Sequence, residues 1–379
     1  MYYVYTATHS PLDVAFVAIA GLVPNLLMAI VSGAIADRVE RRRVMVLSDV
    51  VRAVSWASIA TIVLLLGAVA VASVFTTLFY PAERALLPEI VGAESVPEAN
   101  AILLSTNQIV GFLAYAVGGI LVAAVGVVAG LYYNAGTFVV SALLVVSIVV
   151  ARPTSTAQTL ASEPFLTSVR QGFAYLRREV GLLELTLNAM FQNFFFNIVL
   201  AFVVVYAVSL LGSGATTYGL LLGAFSLGSA GGAFLALRTG AVRRMGLAWT
   251  VSGLAAAAPI AALVLVPNIG SAAAAYAAIG ILTGYGGTAW LSGAQLLVPR
   301  AMQGRYFGVD QLGSIAILPV AQIVGSALIG SIGIAATYGI MAIGLTATGA
   351  VSLLFRDLRR LAPGPRAIGG SPPPSSAES

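Results

Sequence analysis

Chemistry in this chain has to be done with few tools. Its 379 residues carry 19 basic side chains, all of them Arg, 14 acidic ones, no Cys and a single histidine, His9. Without Lys there can be no phosphate-loop lysine and no Schiff base; without Cys there is no disulfide, iron–sulfur ligand or thiolate metal site. One imidazole cannot build a multi-histidine metal centre, and His9, in a short polar segment, reads as an ordinary loop residue. No metal and no cofactor is therefore expected. What remains for recognition are amides set within apolar sequence: Asn25, Asn107, Gln108, Asn134, Gln192, Asn193, Asn197, Gln295 and Gln322. Lipid cannot satisfy an amide, so these should point into a helical bundle, either to bond neighbouring helices or to line a cavity. The run from Phe191 to Asn197, with Gln192, Asn193 and three further Phe, joins aromatics to amides and suits an amphipathic organic molecule. Asn193 and Asn197 share a helix face at i and i+4, with Gln192 about 100° away; the competing reading of the aromatics is lipid contact. The candidate cavity residues are Asn25, Asn107, Gln108, Gln192, Asn193 and Asn197. Among acidic groups, Asp49, Glu184 and Asp310 fall within about two turns of helix ends rather than at mid-span.

The elements that must position these groups follow from composition. Hydrophobic residues make up 59% of the chain, charged residues 9%, and the mean hydropathy is +0.97. A soluble surface needs about 25% charged residues, whereas one helix crosses a bilayer with about 20 apolar ones. Eleven candidate spans can be placed, near Leu12–Ala36, Val44–Leu66, Ala68–Ile90, Ala99–Val125 and Val127–Ala151, then Leu182–Leu211, Thr216–Leu237, Gly246–Pro267, Ser271–Val298, Tyr306–Ser331 and Ile334–Phe355. No strand-period alternation argues for a lipid-facing barrel. Pro24 and Pro319 fall inside spans and should kink them.

The Arg residues fall in alternate gaps: Asp37–Arg43, Glu83–Glu98, Arg152–Gly181, Arg238–Arg244 and Arg300–Arg305, with the rest at the C-terminus and Arg52 just inside a span. The intervening gaps, around Gly67, Gly126, Ser213, Pro267 and Gly333, hold no charged residue. Short Arg-rich loops stay in the cytoplasm, which makes the Arg-bearing side and the C-terminus cytoplasmic and leaves no basic excess that calls for nucleic acid. The expected organisation is a first helical bundle over 1–151, a linker over 152–181, a second bundle over 182–360 and a disordered tail over 361–379. Within the linker, Phe165, Leu166, Val169, Phe173 and Leu176 share one face opposite Arg170, Arg177 and Arg178, which predicts an amphipathic helix at the cytoplasmic interface or against the bundle.

Specific motifs go further. Gly33-Ala-Ile-Ala-Asp37-Arg38, then Arg41-Arg42-Arg43, resembles the signature loop between helices 2 and 3 of the major facilitator superfamily. The stretch Phe79 to Ile90 with Arg84, continuing to Asn100, resembles the segment after helix 4 in the branch of enterobactin exporters and macrolide-efflux proteins. Gly172–Leu176, Tyr218–Gly228 and Gln303–Val309 are similar to that branch's central amphipathic helix, helix 8 and helix 11. Two departures stand out: Ala114-Tyr115 replaces the Gly-Pro of the antiporter pattern ahead of Gly118-Gly119, and the loop with Arg238, Arg243 and Arg244 lacks the matching Asp.

The resemblance implies an all-α membrane fold of two helical bundles, with 11 of 12 family helices present and residues 1–8 as a remnant of helix 1. It implies a conformational switch at Gly33, Asp37, Arg38, Arg41, Arg42 and Arg84. The implied activity is secondary active transport of small amphipathic organic molecules across the cytoplasmic membrane by alternating access, coupled to protons and directed outward, by a monomer in the lipid bilayer. Two further readings are a truncated, non-transporting remnant or scaffold, suggested by the short first segment and a third span cleanly apolar only over Ala68–Tyr80, and the permease subunit of an ATP-driven system.

Overall fold

In lipid, a backbone amide or carbonyl has no solvent partner, so each apolar run must close its hydrogen bonds internally, as a helix does. The computed structural model describes residues 1–58, 62–91, 96–148 and 165–361, and these are almost wholly helical. The order is α1 (Tyr2–Thr8), α2 (Pro11–Arg38), α3 (Arg41–Ala57), α4 (Ile62–Val91), α5 (Val96–Ser147), α6 (Phe165–Arg178), α7 (Val180–Ala201), α8 (Val203–Val205) with a π-turn over Tyr206–Leu210, α9 (Ala215–Thr239), α10 (Met245–Ala255), α11 (Ala257–Leu265), α12 (Ile269–Leu297), α13 (Arg300–Ser352) and α14 (Arg356–Arg360). Among the described residues, seven helical stretches are long and apolar enough to cross a membrane. The first part of the expected linker, 152–164, and the tail beyond Leu361 lie outside the described residues.

Two of the expected turns sit at glycines of nearly identical geometry. Gly126 (φ 83°, ψ 165°) interrupts α5, and Gly333 (φ 82°, ψ 165°) interrupts α13. That region of backbone space is essentially closed to residues with a Cβ, so each charge-free gap reverses the chain through the one residue type able to do so. A third expected turn is corrected. Gly67 lies inside α4, and the chain instead leaves α3 at Ser58 and re-enters a helix at Ile62. Glycine in a helix interior costs only about 1 kcal/mol, less than leaving several backbone groups unbonded in hydrocarbon. The helix α4 runs for 30 residues, but its apolar part is only Leu64–Tyr80, so the third span stays short in apolar length.

The first half is α2 to α5, the second α7 and α9 to α13, and they meet along α2–α13 and α5–α9. The second contact is glycine on glycine. A Cβ built at Gly219 would sit 2.7 Å from the Tyr115 carbonyl oxygen and 2.8 Å from the Gly119 Cα. Both glycines lie near the Arg-free ends of their helices. There too Tyr2 stacks on Tyr218 (centroids 6.2 Å apart), and Tyr5, Val14 and Ala15 join the core cluster of the second half with Ile329 and Ile334. The halves are therefore clamped at the Arg-free end.

Each half has its own polar fastening. In the first, Asp49 and Arg52 form a buried pair (Nη2 to Oδ1 2.5 Å, side chains 1% and 9% exposed). Ser141 of α5 donates to the other Asp49 oxygen at 2.7 Å, and the guanidinium lies 4.6 Å from the ring centroids of both Phe79 and Phe138. One ion pair thereby joins α3, α4 and α5. In the second, α7 ends at Ala201, which leaves its last carbonyls without helical donors. The Val199 carbonyl accepts from Tyr338 Oη at 2.8 Å and Tyr276 Oη at 3.3 Å, and Tyr206 Oη donates to the Leu263 carbonyl at 2.8 Å.

The amphipathic helix α6 is present, and it packs on α13 and α7. Its packing face differs from the expected one. Leu176 is 1% exposed and Gly172 is buried, whereas Phe173 is 50% exposed. The absence of a side chain decides this: a Cβ at Gly172 would lie 2.5 Å from the Arg305 carbonyl oxygen. Burial, with Glu179 nearby, raises the pKa of the Tyr175 hydroxyl above its ordinary value. At the same end α14 is held by Glu184, whose Oε2 accepts from the Leu358 amide at 2.8 Å.

Two stability measurements check these assignments. Gly126→Ala and Gly333→Ala should each cost about 1–3 kcal/mol, because their backbone is strained for any Cβ even though nothing lies within 4 Å. Gly67→Ala, in an open helical position, should be neutral or stabilising; equal melting shifts in detergent for all three would contradict the turn assignment. Asp49→Asn should destabilise by about 3–5 kcal/mol by stranding the Arg52 charge, and adding Arg52→Met should recover much of that loss. A double variant no more stable than Asp49→Asn would show that the pairing is not what the site depends on.

Candidate functional site

Two cavities of ligand size lie along the second half's α7. The first, about 590 Å3, lies between the halves. The first half contributes Asn25 (α2), Trp56 (α3), Ser73 (α4) and Tyr115 (α5); the second contributes Asn197 (α7), Tyr218 and Ser226 (α9) and Gln322 (α13). Its amides are each bonded within their own half. Thr77 Oγ1 donates to Asn25 Oδ1 at 2.5 Å, and Gln322 Nε2 donates to Asn197 Oδ1 at 2.5 Å. Gln322 Oε1, though buried, has no partner among the described residues, so the Asn197–Gln322 pair keeps one acceptor free beside the cavity.

The second cavity, about 600 Å3, lies inside the second half and is walled by α7, α9, α10, α12 and α13. Gln192, Asn193, Trp249, Trp290, Asp310 and Ser314 line it. Gln192 is 2% exposed; its Nε2 donates to Asn188 Oδ1 at 2.7 Å, and Asn188 donates in turn to Ser352 Oγ. A Cβ at Gly253 would fall 2.1 Å from Gln192 Oε1, so this amide also seats α10 against α7. Asn193 is more loosely held, with Nδ2 3.5 Å from Ser314 Oγ.

The six candidate cavity residues thus divide. Asn25 and Asn197 line the cavity between the halves, and Gln192 and Asn193 the inner one. Asn193 and Asn197, expected to face one path, open onto two cavities, because the helices opposite α7 change along its length. Those cavities share Leu200 and Phe225 as a wall. Of the aromatic run, Phe191 is 59% exposed on the outer surface, Phe196 is buried, and Phe195 packs where a Cβ at Gly344 would go. The side chains of Asn107 and Gln108 lie outside the described residues.

Of the signature-loop residues, Arg41 pairs with Glu89 near the end of α4, and Arg42 donates to the Val146 carbonyl near the end of α5. These contacts fasten the start of α3 to its neighbours at the Arg-bearing end. The backbone of Gly33, Asp37 and Arg38 closes α2, and that of Arg84 lies in α4; their side chains are outside the described residues.

Three lining groups were not among the sequence candidates. Tyr115 stands where the family pattern has proline, and Gln322 was one amide among many. Asp310 was placed near a helix end, yet it borders a cavity. A signal existed in the tryptophans: the chain has 3 Trp, and each lines one of the two cavities.

Comparison with known proteins agrees with this architecture. A sequence profile of the Major Facilitator Superfamily matches residues 1–316. Over 180 residues the chain is 30% identical to the uncharacterized MFS-type transporter YfiS of Bacillus subtilis (strain 168), covering 45% of this chain and 42% of that protein. It is 27% identical over 180 residues to the multidrug efflux pump Tap of Mycolicibacterium fortuitum, covering 44% of each. The chain is thus matched over less than half the length of these relatives. Among solved structures, the nucleoside transporter NupG superposes with TM-score 0.72 at 14% identity, over 93% of this chain and 92% of that one. A bacterial homologue of the human lysosomal transporter Spinster, inward-facing and occupied, gives TM-score 0.72 at 14% identity over 94% and 92%. A D-xylose–proton symporter gives 0.69 at 14% over 93% and 88%. With apolar helices in two halves around a central cavity and a profile match over most of its length, this multi-pass membrane protein belongs to the Major Facilitator Superfamily.

Proposed function

We propose that the protein is a secondary active transporter that moves small amphipathic organic molecules across the cytoplasmic membrane by alternating access. The observation that carries this reading is the cavity between the halves, lined from both sides and clamped at one end by the Gly119–Gly219 contact. A cavity shared by two rigid bundles can be exposed to either side by rocking one against the other, with the ligand near mid-membrane. The likeness to a multidrug efflux pump supports export, and that to a proton symporter supports coupling to protons. Asn25, Asn197 and Gln322 supply the few polar contacts that an otherwise apolar site needs to orient a ligand.

The eleven apolar segments of the sequence are taken to span, two of them divided from their neighbours at Gly126 and Gly333. The Arg-bearing side is assigned to the cytoplasm by the cost of moving guanidinium across the bilayer. On that assignment the clamped end is external, and this state exchanges substrate with the cytoplasm. Asp37 and Arg38, with Arg41, Arg42 and Arg84, are proposed to act in the conformational cycle rather than on substrate, because they lie at the membrane surface, away from both cavities. The protein is proposed to work as a monomer.

Gly219→Val should disfavour the clamped state, since the added side chain has no room against Gly119. In a variant with a single Cys at Ser73, an impermeant maleimide added to whole cells should then label several-fold faster, with net transport reduced. Unchanged labelling and unchanged transport would remove the rocking mechanism. Single Cys residues at Ser213 and Thr239 check the orientation, made simple by the absence of native Cys. Ser213→Cys should react in whole cells and Thr239→Cys only after permeabilisation; the reverse pattern inverts the topology. Asn197→Ala should change relative preference among neutral and charged substrates in vesicle uptake, whereas a uniform loss matched by a lower melting temperature would leave it a purely structural amide.

A further inference from the structure

The inner cavity of the second half carries a charge imbalance. Its one carboxylate, Asp310, is 5% exposed, and it accepts a single long hydrogen bond, from Thr186 Oγ1 at 3.3 Å. Among the described residues no Arg pairs with it. The contrast is Asp49 in the first half, equally buried but bound to Arg52 and Ser141. A buried anion without a counter-charge is costly, and intramembrane ionisable groups that persist do so facing functional pathways.

The surfaces around Asp310 suit one kind of counter-charge. Trp249 and Trp290 line the same cavity with ring centroids 6.2 Å apart, and Phe307 stands edge-on to Trp290 at 6.0 Å. Indole faces attract cations, and they do so more strongly where water is excluded. A compact metal ion is poorly served here, because no group of three or more His, Cys or acidic side chains occurs among the described residues. A cavity of about 600 Å3 has room for an organic body around the charge.

We propose that this inner cavity is a binding site for a monovalent organic cation, an amphipathic ammonium or phosphonium ion, held with its charge against Asp310 and its apolar body against Trp249, Trp290 and Phe307. A neutral molecule of the same shape leaves the carboxylate unpaired, so charge selects the ligand. The site is separate from the cavity between the halves and meets it at Leu200 and Phe225. It names a substrate class for the transporter reading and rests on that reading for transport, not for binding.

The test uses the purified full chain, with tetraphenylphosphonium as probe and triphenylphosphine oxide as neutral counterpart, read by tryptophan fluorescence and calorimetry. Wild type should bind the cation saturably and the oxide about tenfold more weakly. Asp310→Asn, which keeps side-chain shape, should weaken the cation about tenfold and the oxide by less than about twofold. Should Asp310→Asn fold poorly, Trp249→Phe keeps an aromatic wall and should weaken the cation about threefold with its melting temperature retained. Equal cation affinity in wild type and Asp310→Asn, or equal affinity of wild type for both probes, overturns the site. Uptake into vesicles separates the two ideas: Asp310-dependent binding without any transport supports the site and removes the transporter reading.

Discussion

Hydrocarbon accepts no hydrogen bonds, and the rest of this structure is arranged around that refusal. Where α7 stops at Ala201, the Val199 carbonyl is met by two tyrosine hydroxyls that reach in from α12 and α13. Tyr206, Tyr276 and Tyr338 are all fully buried, and each delivers its only polar atom to another polar atom at a helix end or on a neighbouring ring. A break in a helix within the membrane is tolerated where the freed backbone groups are bonded again, as they are here by hydroxyls. The break in α7 thus stands beside the cavities with its Val199 carbonyl bonded.

The two halves meet the same constraint with different chemistry. The first is held by charge, with Asp49–Arg52 bracketed by Phe79 and Phe138 and with Arg41 and Arg42 fastening the ends of α4 and α5. The second is held by neutral groups: the Ser352–Asn188–Gln192 chain, the tyrosines, and glycines that bring α9 against α12. A Cβ at Gly228, Gly232, Gly280 or Gly284 would fall within about 2 Å of a carbonyl on the facing helix. With neutral fastening in the second half, Asp310 has no paired cation among the described residues.

Periodicity and charge placement made the helices legible, because both are properties of one chain segment at a time. The turns at Gly126 and Gly333 could be read, since each separates long apolar runs at a residue that permits the required backbone. Gly67 carried the same local signal and misled, because the polar residues at the true break, Ser58 and Thr61, are hydroxyls of a kind that also sits inside helices by bonding back to the preceding turn. The division of Asn193 from Asn197 could not be read at all. It depends on which helices stand opposite α7 at two heights, and that is a matter of tertiary packing. Phe173 and Gly172 teach the same lesson on a smaller scale. The apolar face of α6 was visible, but contact with α13 is set by the missing side chain at Gly172 rather than by the largest one nearby.

The seating of α6 alters the mechanics of the connection between the halves. Through Gly172 and Leu176 this helix travels with α13 and α7 as part of the second half. Among the described elements α6 therefore belongs with the second half, and residues 149–164 are its covalent connection to the first. Its fully extended reach is capped at about 3.3–3.6 Å per residue. On the proposed rocking mechanism, shortening this connection would restrain the motion of the halves without touching a residue that lines either cavity, so travel and binding can be altered separately.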